Sequence, residues 1–229
     1  MKPAAKVVFL VIVAGLFVLA ARAYLGYHFF YRYAAGRGKA TNLQGSFGAL
    51  EPKLKRAVFF SHNPLFYQEM GRLYLEMALA ENKFGTPEKR DEYLDRARES
   101  LEGLIRRNPL EAFGYYELGK VYMLYNYPLL TYAAKGRTYL REALERRPVD
   151  EDLNVNIIYA YLAQWDRLGE VEKDFAYAAV ARNLETDKNF FPRVLALWMS
   201  EFKDSAKLKA VFSAHQDVWP KLARFFPVF

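Results

Sequence analysis

Residues 7–21 read VVFLVIVAGLFVLAA, an unbroken apolar run. No face of it carries a polar residue, which separates it from the one-sided stripe of a helix packed on a protein core. The run is short of the ~20 apolar residues that cross a bilayer's hydrocarbon. It continues past Arg22 as Ala23-Tyr24-Leu25-Gly26-Tyr27-His28-Phe29-Phe30-Tyr31. Tyrosines suit the headgroup region, and an arginine near that boundary can snorkel toward water. The pattern predicts one helix over about residues 5–31 that spans a membrane and leaves it through an aromatic belt. A cleaved signal peptide shares part of this layout: Lys2 and Lys6, then the apolar stretch, then Ala21-Arg22-Ala23 as a cleavage-like site. The aromatic continuation favours the uncleaved anchor.

Residues 34–49, AAGRGKATNLQGSFGA, are rich in glycine and small polar residues and read as a flexible connector. Gly36-Arg37-Gly38-Lys39-Ala40-Thr41 has a superficial phosphate-loop look. The motif needs glycine where Tyr33 stands and Ser or Thr where Ala40 stands, and it needs a preceding strand. The organisation expected is an anchor with its belt over 1–33, a basic linker over 34–50 and a helical domain over 51–229.

From residue 51 the apolar positions recur every three or four residues throughout. Leu54, Ala57 and Val58 form a short first face, with Pro52 near its start. Leu65-Phe66, Met70, Leu73-Tyr74 and Met77 form the next, followed by Leu94, Ala97, Leu101 and Leu104-Ile105. Tyr67-x-x-Met70-Gly71-x-x-Tyr74 recurs as Tyr115-x-x-Leu118-Gly119-x-x-Tyr122. Behind each comes a second helix, Ala97-x-x-x-Leu101 ending at Pro109, and Gly136-x-x-x-Leu140-x-x-Ala143 ending at Pro148.

These residues resemble the tetratricopeptide repeat (TPR), with its aromatic-x-x-Leu-Gly-x-x-Tyr, Ala-x-x-x-Phe and terminal Pro. The small residue at Gly71 or Gly119 lets the two helices of a hairpin approach closely; the prolines end the second helix. The resemblance is good over 61–148. A third unit carries Asn154, Ile157, Ile158 and Tyr161 without the aromatic or the glycine, and a fourth begins at Trp198. Unit starts at Tyr67, Tyr115, Asn154 and Trp198 exceed the usual ~34-residue period. The excess is assigned to long loops within hairpins, at 81–92 and 125–135, and 51–60 to an orphan helix. The fold expected is all-α: a single transmembrane helix followed by a TPR-like α-solenoid of about three to four irregular repeats.

Such a fold implies a concave groove, lined by the first helix of each unit, that binds peptides or partner proteins. On the family pattern the groove positions are Gln68, Arg72 and Leu75, then Tyr116, Lys120 and Met123, then Val155, Tyr159 and Leu162. A mixed basic and aromatic groove suits a segment with some acidic character. The alternative occupant is the chain's own amphipathic C-terminal segment, LKAVFSAHQDVWPKLARFFPVF. The chaperone-carboxylate clamp of some TPR domains falls on Gln68, Arg72, Glu117, Asp152 and Asn156, where two acids would repel it.

Composition narrows the chemistry further. The chain has no cysteine, and its three histidines, His28, His62 and His215, lie in separate regions. No catalytic or metal-ligand motif is present, and the acids of 88–95 alternate with Lys89, Arg90 and Arg96 as a solvated helix face. The formal charge of +7 is spread among acids and beside the apolar helix, where anionic lipid is the nearer counter-charge. The sequence therefore assigns no catalytic residue, metal, cofactor, small-molecule substrate or nucleic-acid partner. It points to a membrane-anchored scaffold that binds other proteins while assembling or stabilising a bacterial envelope complex. The rival is an accessory subunit held mainly through its transmembrane helix, its helical domain serving as a cap. Basic flanks on both sides of the span leave the topology open. The signal-like order favours a periplasmic domain on the bacterial inner membrane, and the charge count a cytoplasmic one.

Overall fold

The computed structural model describes residues 3–125 and 131–226, and every regular element among them is helical. Contacts divide the chain into two compact units, Met1–Gly136 and Arg137–Phe229, the boundary falling inside one helix. Lys2, residues 126–130 of the expected second loop and the last three residues lie outside the described residues.

The first unit begins with α1, Pro3–Arg37, a single helix of 35 residues. It overruns the expected end near residue 31 because its character changes along its length. Val7 to Tyr24 are exposed all round, whereas Gly26 and Tyr33 are buried. The second half of α1 packs on α2, Leu43–Phe60, with Phe29 stacked on Phe60 at 5.7 Å between centroids.

The expected linker is mostly helix. Residues 34–37 complete α1, a short turn follows, and 43–50 form the first half of α2. Asn42 caps α2, its Oδ1 accepting from the Gln44 and Gly45 amides at 3.0 and 3.4 Å. Phe47 and Leu50 face inward, while Gly45 and Gly48 lie on the exposed side, where they lower helix propensity without leaving a hole. Pro52 is consequently interior to α2 instead of near its start. It removes the amide that would bond the Gly48 carbonyl; both residues are exposed, so water can take that bond.

Helices α3, Pro64–Phe84, and α4, Pro87–Arg107, pack together along their length. The long loop expected at 81–92 is a two-residue turn, Gly85-Thr86, flanked by helix. The charged string is the polar ends of two long helices: Thr86 Oγ1 accepts from the Lys89 amide at 3.3 Å, Pro87 opens α4, and buried Arg90 donates to Asn82 at 3.3 Å. Phe66, Met70, Leu73, Tyr74, Met77, Leu94, Ala97 and Leu101 are buried between α2, α3 and α4 or nearby. Helix α5, Ala112–Leu124, then packs on α4 and α3, and α6, Ala133–Arg146, begins. A Cβ at Gly136 would stand 2.8 Å from the Gly119 carbonyl oxygen, so α5 and α6 meet at these two small residues.

In the second unit α7, Glu151–Ala163, packs against α8, Glu170–Thr186, and α9, Phe190–Phe202. Helices α10, Ala206–Ser213, and α11, Trp219–Leu222, close it. Trp198 lies well inside α9, its Nε1 donating to the Asp204 carbonyl at 2.6 Å across the α9–α10 turn. His215 lies in the turn between α10 and α11. Buried Arg137 donates through Nε and Nη2 to Glu172 at 2.7 and 3.2 Å and through Nη1 to Gln164 at 3.0 Å.

Candidate functional site

In the first unit, three of the six groove positions of α3 and α5, Arg72, Leu75 and Lys120, border one depression. Arg72, Leu75, Glu76, Leu79, Glu117 and Lys120 line a shallow depression of about 70 Å³. The helix spacing explains the grouping: positions 72, 75, 76 and 79 fall on one stripe of α3, and 117 and 120 on one stripe of α5. Gln68, Tyr116 and Met123 are half-buried on these helices. Leu75 is only 2% exposed and forms the floor of this depression as part of the core.

The cations of this surface are already paired. Arg72 Nη1 donates to Glu69 Oε1 at 3.4 Å and Lys120 Nζ to Glu117 Oε2 at 2.9 Å, each three residues apart on its own helix. Lys120 also stands 5.2 Å from the centre of the Tyr116 ring. Burial, together with the neighbouring Glu117 charge, pushes the Tyr116 hydroxyl up to about 12. The end of α1 reaches the same acids: Arg37 donates to Glu76, and the Tyr33 hydroxyl to Glu69 at 3.4 Å. The surface is thus charge-balanced, with more carboxylates than the sequence positions suggested, because Glu69 and Glu76 lie between the residues of the family pattern.

In the second unit Val155 and Leu162 are buried in the core, at 3% and 1% exposure. The Tyr159 hydroxyl donates to Glu201 on α9, and burial, followed by that hydrogen bond, raises its pKa. Of the clamp positions, Asp152 pairs with Arg193 and its carbonyl accepts from Asn156 at 2.7 Å. The described part of the C-terminal segment packs through Phe212 on Tyr177 of α8 and Phe191 of α9.

Two clefts escaped the sequence reading. One, of about 390 Å³, is bordered by Lys55, Tyr67, Tyr74, Arg96 and Ser100. Glu51 is the nearby hub: it accepts from Tyr74 at 2.7 Å, Lys55 at 2.8 Å and Arg96 at 3.3 Å, tying α2, α3 and α4 together. Burial opposes its ionisation, yet the hydrogen bonds from Lys55 and Tyr74 and the charges of Lys55 and Arg96 outweigh it and hold its pKa below the ordinary glutamate value. The other cleft, of about 230 Å³, brings together Tyr122, Tyr125, Tyr132, Asp95 and Arg98. The Tyr125 hydroxyl donates to Asp95 at 2.7 Å there. Spacing within one helix could not reveal either cleft, since each joins short stripes from three segments, Tyr67 and Tyr74 of α3 with Arg96 and Ser100 of α4 in the first, and Asp95 and Arg98 of α4 with Tyr122 and Tyr125 in the second. Among the described residues no three His, Asp or Glu side chains gather as metal ligands.

No family model, curated protein or solved structure matches the chain. What the geometry itself establishes is an all-helical protein whose N-terminal helix, over Lys6–Arg37, is long and apolar enough to cross a membrane. A signal sequence meets the same test of length and composition.

Proposed function

We propose that this chain is a membrane-anchored, TPR-like helical scaffold. It holds a segment of another protein on the α3–α5 surface while a bacterial envelope complex is assembled or stabilised, with the helical body on the periplasmic side of the inner membrane. The observation that carries the reading is the continuity of α1. An exposed apolar half runs without a break into a half packed on α2, and its last turn ends on Glu76, beside the depression. An anchor built this way fixes the binding surface at a set distance from the bilayer, which a flexible tether would not. The close approaches at Gly71 and Gly136 and the succession of helical pairs support the TPR-like solenoid. A ligand for this surface presents both charges, since cations and acids alternate across it.

A photo-reactive amino acid at Tyr116 in the full chain, irradiated in native membranes, tests this. One discrete protein adduct is expected, and it should weaken in the Arg72→Glu/Lys120→Glu variant. Absence of an adduct overturns the surface. The pairing of Arg72 and Lys120 with acids on their own helices favours a second reading, the accessory subunit held through α1. That reading predicts the adduct from Phe17, which is 75% exposed on the apolar half, and none from Tyr116.

A further inference from the structure

The apolar run 7–21 rises about 22 Å as a helix, against about 30 Å of hydrocarbon in a bilayer. Lys6 bounds the run at its start, so the missing ~8 Å, about five residues of helix, falls beyond Ala21. The body is already present at that level. The corner joining α2 to α3 lies beside α1, where Leu19, Arg22, Ala23, Phe60, Ser61 and His62 surround one small hollow. Arg22 donates to the Phe59 carbonyl at 3.4 Å, and Asn63 donates to the Tyr27 hydroxyl at 2.7 Å. Phe66, near the start of α3, stacks on Phe30 at 4.8 Å and meets Tyr27 edge-on at 5.3 Å.

This corner has the surface of something seated in a lipid interface. Phe59 is 70% exposed and Leu65 43%, and Leu19 of the span, 64% exposed, lines the same hollow as Phe60, so the apolar surface of the span continues onto the folded body. Its charge complements anionic headgroups. Glu51, the only acid before residue 64, pairs with Lys55, whereas Arg22 donates to the backbone of the corner and the Arg56 guanidinium stands 5.4 Å from the Phe29 ring, which stacks on Phe60. Aromatic rings beside long cationic side chains are what the boundary between hydrocarbon and headgroups accommodates.

We propose that the α2–α3 corner, through Phe59 and Leu65, inserts into the membrane interface as a second lipid contact beside α1. The inference rests on the membrane-anchored reading of α1 and goes beyond it. The body then stands on the bilayer by two points, a spanning helix and an apolar foot, so its orientation is fixed as well as its distance.

The native chain has no cysteine, so single labels are clean. The full chain is reconstituted in vesicles of phosphatidylcholine and phosphatidylglycerol with one nitroxide at Ile12→Cys, Phe59→Cys or Phe84→Cys, each an exposed residue. Phe84 ends α3, about 30 Å from the corner, and serves as the aqueous reference. Collision with oxygen relative to a water-soluble nickel chelate reports depth. The expected order is Ile12 deepest, Phe59 several-fold more lipid-exposed than Phe84, and Phe84 aqueous. A deep Ile12 with an aqueous Phe59 overturns the foot and leaves the anchor standing. An aqueous Ile12 overturns the anchor reading, and this inference with it. Dipolar broadening at Phe59 that vanishes on dilution with unlabelled chain gives the surface to a second copy and overturns the lipid contact.

Discussion

Gly26 on α1 lies so close to Ser61 at the end of α2 that a Cβ on the glycine would stand 2.5 Å from the Ser61 Cβ. The same Cβ would come within 3.3 Å of the Ala57 carbonyl oxygen and of the Phe66 ring. A side chain at this point pushes on backbone as well as on Ser61, so the anchor and body can join as one helix only because residue 26 has none. Gly26→Ala should cost about 1–3 kcal/mol by overpacking. Ser61→Gly in the same chain should return part of it by removing the closest atom. Thermal unfolding of the full chain in detergent checks both. An unchanged midpoint in Gly26→Ala would mean that α1 leaves the body freely.

A second glycine tests the hairpin. A Cβ at Gly71 would lie 2.5 Å from Cγ of Leu101 on α4. Gly71→Ala should therefore cost about 1–3 kcal/mol. Leu101→Ala alone should cost about 2–5 kcal/mol by leaving a cavity. The double variant should be more stable than the sum of the two losses, because the new methyl occupies part of the space that Leu101 vacates. A double-mutant cycle on unfolding free energies reads the coupling, and strict additivity would show that the two positions do not share this space.

Those two glycines also mark what the sequence could and could not say. Gly71 stood inside a repeated motif, so its close approach was expected, although its partner was not. Gly26 stood inside an apolar-aromatic run that spoke only of a membrane. The all-helical class and most buried faces were legible because helical periodicity reports burial directly: Leu54, Met70, Leu73, Leu94 and Leu101 are all in the core. Helix ends were less legible. The glycines of 34–50 and the charges of 81–92 both looked like loop, yet exposed positions of a helix tolerate either once Asn42 or Thr86 caps it. Of the groove positions the pattern named, Arg72 on α3 and Lys120 on α5 border one depression. The pattern missed Glu69, Glu76 and the arrival of Arg37, since charge balance across a surface depends on neighbours that spacing does not identify.

Asn154 shows the same limit from the other side. It replaces the tyrosine of the first two units, and on sequence that is a lost motif residue. In the fold it is 1% exposed, and its Nδ2 donates to the Pro148 carbonyl at 2.9 Å and to Asn183 Oδ1 at 2.7 Å. It holds the turn before α7 to α8. Asn154→Tyr, although it restores the repeat pattern, should destabilise by about 2–4 kcal/mol through overpacking and through leaving Asn183 Oδ1 without that donor. Chemical denaturation of the two chains side by side decides it. Equal or greater stability of the tyrosine chain would refute the structural role.

Glu51 gives a pH dependence whose sign follows from its partners. Its pKa is held below the ordinary 4.5, so the folded chain binds this proton more weakly than the unfolded one. The contribution is complete above the unfolded value, hence at pH 7, and is lost as the pH falls through 4.5 and then through the lowered folded value. Glu172 acts in the same direction: burial opposes its charge, but the Arg137 hydrogen bond and charge and the Gly169 amide prevail. Glu51→Gln should lower stability by about 1–2 kcal/mol at pH 7 and flatten the acid limb of the unfolding midpoint. A variant that loses stability equally at every pH would place its effect in packing instead.

The α3–α5 surface can be probed without confusing binding with folding. Arg72 and Lys120 are each about half or one-third exposed and pair with acids three residues away, an arrangement worth about 0.2–0.5 kcal/mol per pair. Arg72→Glu/Lys120→Glu replaces two attractions by two like-charge contacts, so its unfolding free energy should fall by only about 1–2 kcal/mol in all. A bound segment, by contrast, would meet a surface that has lost Arg72 and Lys120 and keeps Arg37 against Glu69, Glu76 and Glu117. The adduct from Tyr116 should then fall severalfold at low salt, and raising the salt should weaken it in the parent chain as well. Glu69→Gln/Glu117→Gln leaves the cations in place without their partners and should strengthen the adduct if the ligand is acidic, or weaken it if the ligand is basic. A Tyr116 adduct indifferent to both pairs of substitutions would remove charge from the recognition and leave Tyr116 and Met123 as its apolar basis.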